Sequence, residues 1–141
     1  MASLIYNDFK ESIMNGSIDL DTDTIKVALV TSSYTPDQDA HDFFDDVTNE
    51  VSGTGYTAGG ATLASKTVTQ DNTNNRGVFD AADTSWTNTS IASIRGAVIY
   101  KSTGTASTSR LIAYIDFATD YAVINGTFQI TWHADGILYI G

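Results

Sequence analysis

The stretch that decides the fold is the C-terminal run YAVINGTFQITWHADGILYIG, residues 121–141. In its middle, FQITW (residues 128–132) alternates apolar and polar side chains, which is typical of a strand with one buried face. Asn125-Gly126 and Asp135-Gly136 bracket this strand, and both pairs suit tight hairpin turns. The apolar residues 137–140 that follow predict a last strand, paired and packed inside a sheet.

Strand patterns recur through the rest of the chain. Residues 25–31 are apolar on both faces and predict an early, well-buried strand. Further strands are predicted at 61–70, 78–79, 84–87, 91–101 and 111–117. Together with the two C-terminal strands, the pattern predicts an all-β domain of roughly eight strands, built as a β-sandwich or jelly roll.

Two short helices complete the predicted fold. Apolar side chains recur at helical spacing over Leu4–Met14, where Ser3 is a candidate N-cap and Asn15-Gly16 a left-handed stop. The second helix is expected near residues 39–48, capped by Asp37 or Asp39. We therefore predict a single domain over residues 1–141, with a helix in 1–16 and the sandwich in 17–141. The first helix either covers the open end of a sheet or docks on a neighbouring subunit.

The composition excludes several classes of function. The chain has 141 residues, a formal net charge of −10 and no cysteine. The acidity argues against binding to nucleic acid or to an anionic membrane. The absence of cysteine excludes disulfides, cysteine zinc sites and thiol nucleophiles. Neither a secretory signal nor an apolar run of about 20 residues is expected.

Asp19, Asp21 and Asp23 begin like a calcium-binding loop. The EF-hand also requires a glycine at its sixth position and a glutamate at its twelfth. Those positions hold Thr24 and Val30. The EF-hand interpretation fails, which leaves a solvated acidic turn or an unrelated weak calcium site.

The remaining polar patterns do not add up to an active site. A second acidic group could supply two carboxylates for glycoside hydrolysis, but clustered aspartates are more often a solvated face. His41 and His133 lack a nucleophile elbow and a third metal ligand. The glycine-rich connector 53–60 lacks the Lys-Ser/Thr of a P-loop and predicts flexible turns. We predict no enzyme, and no catalytic, cofactor-binding or metal-binding residue. The second acidic group comprises Asp37, Asp39, Asp42, Asp45 and Asp46.

A surplus of aromatic residues is the remaining signal. Tyr and Trp are enriched at protein interfaces, and few lysines accompany them here. We expect some of these rings in the core and others on a surface buried in an assembly. They are Tyr34, Tyr56, Trp86, Tyr100, Tyr121 and Tyr139.

Several segments together resemble a family of small structural proteins of tailed bacteriophage virions. The family includes capsid decoration, or cement, proteins, and similar sequences also carry tail or fibre labels. The likeness covers most of the chain, from about Ile18 to Ile140, and it brings no catalytic residues. Its segments are IKVALVTSSYTPD (25–37), HDFFDDV (41–47), EVSGTGYTAGGATL (50–63), AVIYK (97–101) and ITWHADGI (130–137).

The resemblance implies a protein that is made in the host cytoplasm, binds the outside of the capsid and bridges major capsid protein subunits. It also implies a homo-oligomer, with a trimer favoured because three-fold positions on a shell match cyclic contacts. The N-terminal helix or the glycine-rich connector would dock it. The alternatives are a tail or fibre module that contacts the host, and a carbohydrate-binding or hydrolytic β-sandwich.

Overall fold

The computed structural model describes residues 2–141, which form eight strands, one α-helix and two 3-10 turns. The strands are β1 (Leu4–Ile5), β2 (Ile25–Val30), β3 (Ala61–Thr62), β4 (Thr67–Asp71), β5 (Arg76–Asp80), β6 (Thr84–Lys101), β7 (Leu111–Ile130) and β8 (Leu138–Ile140). The helix is α1 (Asn7–Asn15), and the 3-10 turns are Phe44–Asp46 and Ala106–Thr108.

The strands form two antiparallel sheets. The larger has the order β1-β7-β6-β2-β3 and the smaller the order β4-β5-β8. The prediction of an all-β sandwich of about eight strands is confirmed. The single-domain assignment stays a prediction, and its first residue, Met1, lies outside the described range.

Two long strands replace four of the short ones that the sequence predicted. β6 has 18 residues and β7 has 20, and they pair from Thr84–Ile130 to Tyr100–Leu111. β-Bulges interrupt the ladder without ending it, and positive φ angles occur at Asn88, Ser93, Ala118 and Asn125. The prediction of a hairpin turn at Asn125-Gly126 was therefore wrong, because this pair forms a bulge inside β7.

The large sheet is buried on both faces. On one face Val27 and Ile99 belong to the main core, which Phe79 and Leu138 of the small sheet also join. On the other face, the side chains of β2, β6 and β7 pack with Tyr34 in a second cluster. The prediction that β2 is buried on both sides is confirmed.

The N-terminal helix is shorter than predicted. It begins at Asn7, because Leu4 and Ile5 instead pair with β7 as β1. Ser3 is not the N-cap: its hydroxyl accepts the Asp116 N–H at 2.9 Å. The predicted stop is confirmed, with Gly16 in the left-handed region at φ 79°. Phe9 is buried in the main core, so α1 packs on its own domain.

The helix predicted near residues 39–48 is reduced to the turn Phe44–Asp46. Asp37 does organise the preceding turn, since its carboxylate accepts the N–H groups of Asp39 and Ala40. The Phe44 N–H donates to the Ser109 carbonyl at 2.8 Å, which ties this segment to the loop between β6 and β7. The segment is extended because it has to cover the second face of the large sheet.

Two further strand predictions need correction. The segment 61–70 splits between the sheets: β3 lies in the large one and β4 in the small one, with Ser65 at φ 54° between them. The last strand, β8, is paired with β5 but forms the edge of its sheet. Tyr139 and Ile140 are more than half exposed, and Leu138 alone of the three is buried. The predicted interior position of this strand was wrong.

The glycine-rich connector is tightly packed rather than flexible. At Gly60 a Cβ would overlap the carbonyl of Val27, and at Gly55 it would lie 2.6 Å from the Asn88 carbonyl oxygen. Glu50 holds the loop from within, because its carboxylate accepts the Tyr56 hydroxyl at 2.6 Å and the Gly59 N–H at 2.7 Å. The glycines are needed because the loop backbone lies directly against β2 and β6.

We predict that Gly60→Ala destabilises the fold far more than Gly104→Ala. Both glycines are in the left-handed region, with φ 80° at Gly60 and 87° at Gly104. No atom lies within 4 Å of a Cβ built at Gly104. Gly104→Ala should cost about 1–2 kcal/mol for the left-handed backbone alone. Gly60→Ala adds overlap with the backbone of β2 and should cost about 4 kcal/mol or more.

Urea denaturation of the two variants measures the difference. Equal losses of unfolding free energy would contradict the close contact between the connector and β2.

A chain of hydrogen-bonded tyrosine hydroxyls joins the second cluster of the large sheet to the segment that covers this face. The Tyr6 and Tyr34 hydroxyls lie 2.8 Å apart, and that of Tyr34 lies 3.0 Å from Nδ1 of His41. The Asp37 N–H also donates to that nitrogen at 3.1 Å, which identifies it as an acceptor. Tyr34 therefore donates to His41 and accepts from Tyr6. Burial raises the pKa of Tyr34 to about 12.

We predict a loss of stability at alkaline pH that depends on Tyr34. Its pKa rises from 10.0 to about 12 on folding, so the unfolded chain releases this proton first. The contribution is complete below pH 10 and declines as pH rises toward 12. In Tyr34→Phe the free energy of unfolding should fall less steeply over this window, although it starts lower.

The measurement is chemical denaturation at several pH values, with Tyr139→Phe, which removes a hydroxyl from an exposed ring, as the control. Parallel curves for wild type and Tyr34→Phe would contradict the prediction.

Candidate interaction surface

Beyond the five-stranded sheet, β6 and β7 continue as a two-stranded extension, which we call the distal ribbon (residues 84–95 and 116–130). β2 pairs with β6 only from Gly96 to Lys101, and β1 pairs with β7 only at Ala113 and Tyr114. The glycine-rich connector contacts the β6 side through a bridge between Thr54 and Ser90. Within residues 2–141, no strand pairs with the other edge of β7 beyond Tyr114.

A row of aromatic rings runs from the core to the surface of the distal ribbon. Trp86 is buried and packs at 6.1 Å from Phe128. Phe128 lies 6.0 Å from Phe117 and 6.3 Å from Tyr121, and the rings are tilted or edge-on. Tyr121 is 47% exposed. The buried ring anchors the outer ones, so the exposed aromatic surface is held in a fixed arrangement.

The outer rings, Phe117, Tyr121 and Phe128, line an open groove of about 530 Å³. Its polar members are Thr127, Gln129 and Thr131, which are spaced along the same strand end. The volume lies in the range of known ligand sites and is equally suited to side chains of a protein partner. The groove therefore combines apolar rings with hydrogen-bonding residues that alternate with them along β7.

The distal ribbon is nearly free of charge on a strongly acidic chain. Residues 84–94 and 121–134 contain no Lys, Arg, Asp or Glu, although the net charge is −10. At its base Arg95 and Asp120 neutralise each other in an ion pair of 2.7 Å. Ile124, on β7, is 82% exposed. An exposed, uncharged apolar surface of this kind is a candidate interaction site.

The side chains of the first acidic group make local contacts. Asp23 is held by Lys101 at 3.0 Å, and its backbone carbonyl accepts the Lys66 ammonium. Asp19 and Asp21 share a hydrogen bond that lowers the pKa of the first carboxyl and raises the pKa of the second. The described part of the chain contains no group of three His, Asp or Glu side chains able to hold a metal ion.

The second acidic group stabilises turns. Besides Asp37, Asp46 accepts the N–H groups of Asp42 and Phe43 at 2.9 and 3.2 Å. The pKa of Asp42 is raised, first by its burial and then by the charge of Asp8. The carboxylates of Asp37 and Asp46 thus accept backbone N–H groups, and none of the five aspartates lines the groove of the distal ribbon.

The two histidines have separate surroundings. His41 belongs to the Tyr34 hydroxyl chain and stacks on that ring at 5.7 Å. His133 is exposed and lies 3.7 Å from Asp135. They do not share a ligand or a nucleophile.

The structure sorts the aromatic residues that the sequence could not. Tyr34, Trp86 and Tyr100 are buried, whereas Tyr121 and Tyr139 are exposed. Sequence reasoning missed the contribution of Phe117 and Phe128 to the groove. Their alternation along β7 was visible, but it predicted a core position rather than the rim of a surface. The half-buried ring is Tyr56.

Comparison with family models, curated proteins and solved structures found no match to this chain. Within residues 2–141, no helix has the length and apolar character needed to cross a bilayer. The functional argument therefore depends on the surface itself and on the resemblance described above.

We predict that the exposed side chains of the distal ribbon contribute little to stability, whereas its buried Trp86 contributes much. Ile124→Ala should change the unfolding free energy by less than about 0.5 kcal/mol, because the side chain is 82% exposed. Trp86→Ala should cost about 3–5 kcal/mol, because it empties the buried end of the aromatic row. Thermal or urea unfolding of both variants tests this, and a large loss in Ile124→Ala would show that the residue belongs to the fold rather than to a surface.

Proposed function

We propose that this chain is a non-enzymatic structural protein of a tailed bacteriophage virion that decorates the capsid and stabilises the assembled head. The observation that carries the proposal is the uncharged, aromatic surface of the distal ribbon. The resemblance to virion proteins supports the same assignment. A protein that acts by covering and bridging others needs such a surface and needs no reactive pocket.

The charge distribution favours a protein partner. A nucleic acid would require a basic stripe, and this chain carries 7 Lys and Arg against 17 Asp and Glu. Apolar and aromatic anchors in a neutral patch are instead typical of the centre of a protein interface. The partner in this proposal is the major capsid protein on the outer surface of the head.

The docking element is revised by the geometry. The sequence suggested α1 or the glycine-rich connector, but the connector backbone is occupied by contacts with β2 and β6. On α1 the one large exposed apolar side chain is Met14. The distal ribbon presents a larger apolar surface, held in place by Trp86, and is the better candidate for contact with the shell.

Stabilisation of the head would follow from linkage. A protein that binds the assembled shell and not its separate subunits shifts the equilibrium toward the shell. Binding across neighbouring subunits makes the affinity depend on assembly. Association into a trimer on the shell itself, at its three-fold positions, is part of this proposal.

The decisive experiment locates and counts the chain in purified particles. We expect hundreds of copies per virion by quantitative mass spectrometry, and density on the outer capsid surface in an electron cryomicroscopy map. A dozen copies or fewer would favour the tail or fibre alternative. Absence from purified particles would overturn any virion role.

A matched pair of variants tests the docking element. Ile124 and Met14 are both 82% exposed, so changes at either should leave the fold intact. We expect Ile124→Asp to weaken binding to heads that lack the protein by about tenfold or more, since it places a charge in an apolar interface. Met14→Asp should bind as the wild type does. Co-sedimentation with heads measures both, and equal binding would remove the ribbon from the interface.

A carbohydrate-binding role is a second candidate, because the groove places aromatic rings beside hydroxyl and amide groups. Sugars bind in such surroundings through stacking and hydrogen bonds. A glycan array with purified wild-type protein and Tyr121→Ala tests it. Binding that the variant loses would favour this candidate over capsid decoration.

A further inference from the structure

The free edge of β7 differs from every other sheet edge in the described chain. The terminal strands of the two sheets are β1 and β3 with two residues each, β8 with three and β4 with five. The glycine-rich connector lies against the other long edge, that of β6 at residues 84–95. The edge of β7 from Phe117 to Ile130 is far longer and is not covered by another strand. An unpaired edge of this kind presents backbone N–H and C=O groups ready to pair with another extended chain.

Two common protective residue types are missing from this edge. Proteins commonly block a sheet edge with proline or lysine, and residues 116–130 contain neither. Ala118 and Asn125 have positive φ angles and interrupt the edge. Between them, β7 keeps regular spacing only from Tyr121 to Val123, because its ladder with β6 changes register on both sides of these residues.

The charge pattern indicates what pairs with this stretch. Two copies of a chain with net charge −10 repel each other over most of their surfaces. The distal ribbon is the exception, because its only charged residues are Arg95, Asp116 and Asp120, and Arg95 and Asp120 form an ion pair. A second copy can therefore approach here without unpaired like charges.

The length of the edge indicates the arrangement. No other uncovered edge of the described chain is as long as that of β7, so the fitting partner for this edge is the same edge of a second copy. We propose that β7 of two copies pair antiparallel across a two-fold axis, which joins their large sheets into one continuous sheet. Such an isologous contact closes on itself and gives a dimer.

The alternation of side chains fixes where the axis passes. Directly opposed residues of an antiparallel pair point to the same face. The two-fold axis therefore passes between the two copies of a single residue, which lie opposite each other. The regular residues 121–123 place the axis at Tyr121 or Ala122. In either register the two grooves lie on the same face of the joined sheet and meet across the axis, so the aromatic rows of both copies become one surface.

This inference does not depend on a virion role. A protein of any function with this edge would self-associate in the same way. It also differs from the trimer proposed above, since a two-fold contact either forms dimers or links molecules bound at neighbouring positions.

Single-cysteine variants test the pairing, and the chain contains no native cysteine to interfere. Opposed Cα atoms in an antiparallel pair lie within the distance a disulfide can bridge. We expect Tyr121→Cys or Ala122→Cys to form a covalent dimer under mild oxidation at least about tenfold faster than Thr105→Cys, because pairing raises the effective concentration. Thr105 lies in the exposed loop between β6 and β7 and serves as the control.

A second measurement needs no cross-link. Sedimentation should show a dimer for the wild type and for Thr105→Lys, and a monomer for Ala122→Lys, in which two like charges meet at the axis. Unfolding free energies of the three proteins establish that the variants are folded. A monomeric or trimeric wild type, or cross-linking no faster than the control at both positions, would overturn the two-fold pairing.

Discussion

The ladder between β6 and β7 is the constraint on which the rest of the structure depends. β2 enters the large sheet through β6, and β1 enters it through β7. The small sheet is attached to the other end of the same pair, since β5 leads into β6 and β7 leads to β8. Among the peripheral strands, β1, β3 and β8 have only two or three residues and are too short to hold a sheet by themselves. Their pairing is possible because the long hairpin supplies a continuous template, and its bulges bend that template so that both of its ends share one core.

The alternation of apolar and polar residues predicted most strands, but it could not predict where they join. Asn125-Gly126 shows the reason. A hairpin turn and a β-bulge both need a residue with positive φ, and asparagine provides it in either case. Which of the two forms depends on whether β6 has residues opposite on both sides of the pair. That information lies about 35 residues away, at Ser90, whose hydroxyl accepts the Asn125 N–H.

The same limitation explains the errors at the N-terminus and in the connector. Helical spacing over Leu4–Met14 was real, yet Leu4 and Ile5 gain more by pairing with β7 than by adding a turn to α1. In the connector, the glycines predicted a flexible backbone, whereas Gly60 is needed because the loop packs directly against the backbone of β2. A flexible glycine loop and a tightly packed one have the same composition, and only the neighbouring backbone distinguishes them. Tertiary contacts override local preference at such positions.

The candidate surface was the least predictable feature, because an edge is free only where other strands end. Nothing within residues 117–130 shows that β1 stops pairing at Tyr114. Aromatic residues there predicted a core, and Phe117 and Phe128 do contact it. Yet an exposed, uncharged edge is a liability for a protein that remains alone, since it favours aggregation. Most formal charges of this chain lie elsewhere, so repulsion between copies acts over the rest of the surface and leaves this edge open. That division of the surface is what a chain requires if it has to stay dissolved and still present one strip to a partner.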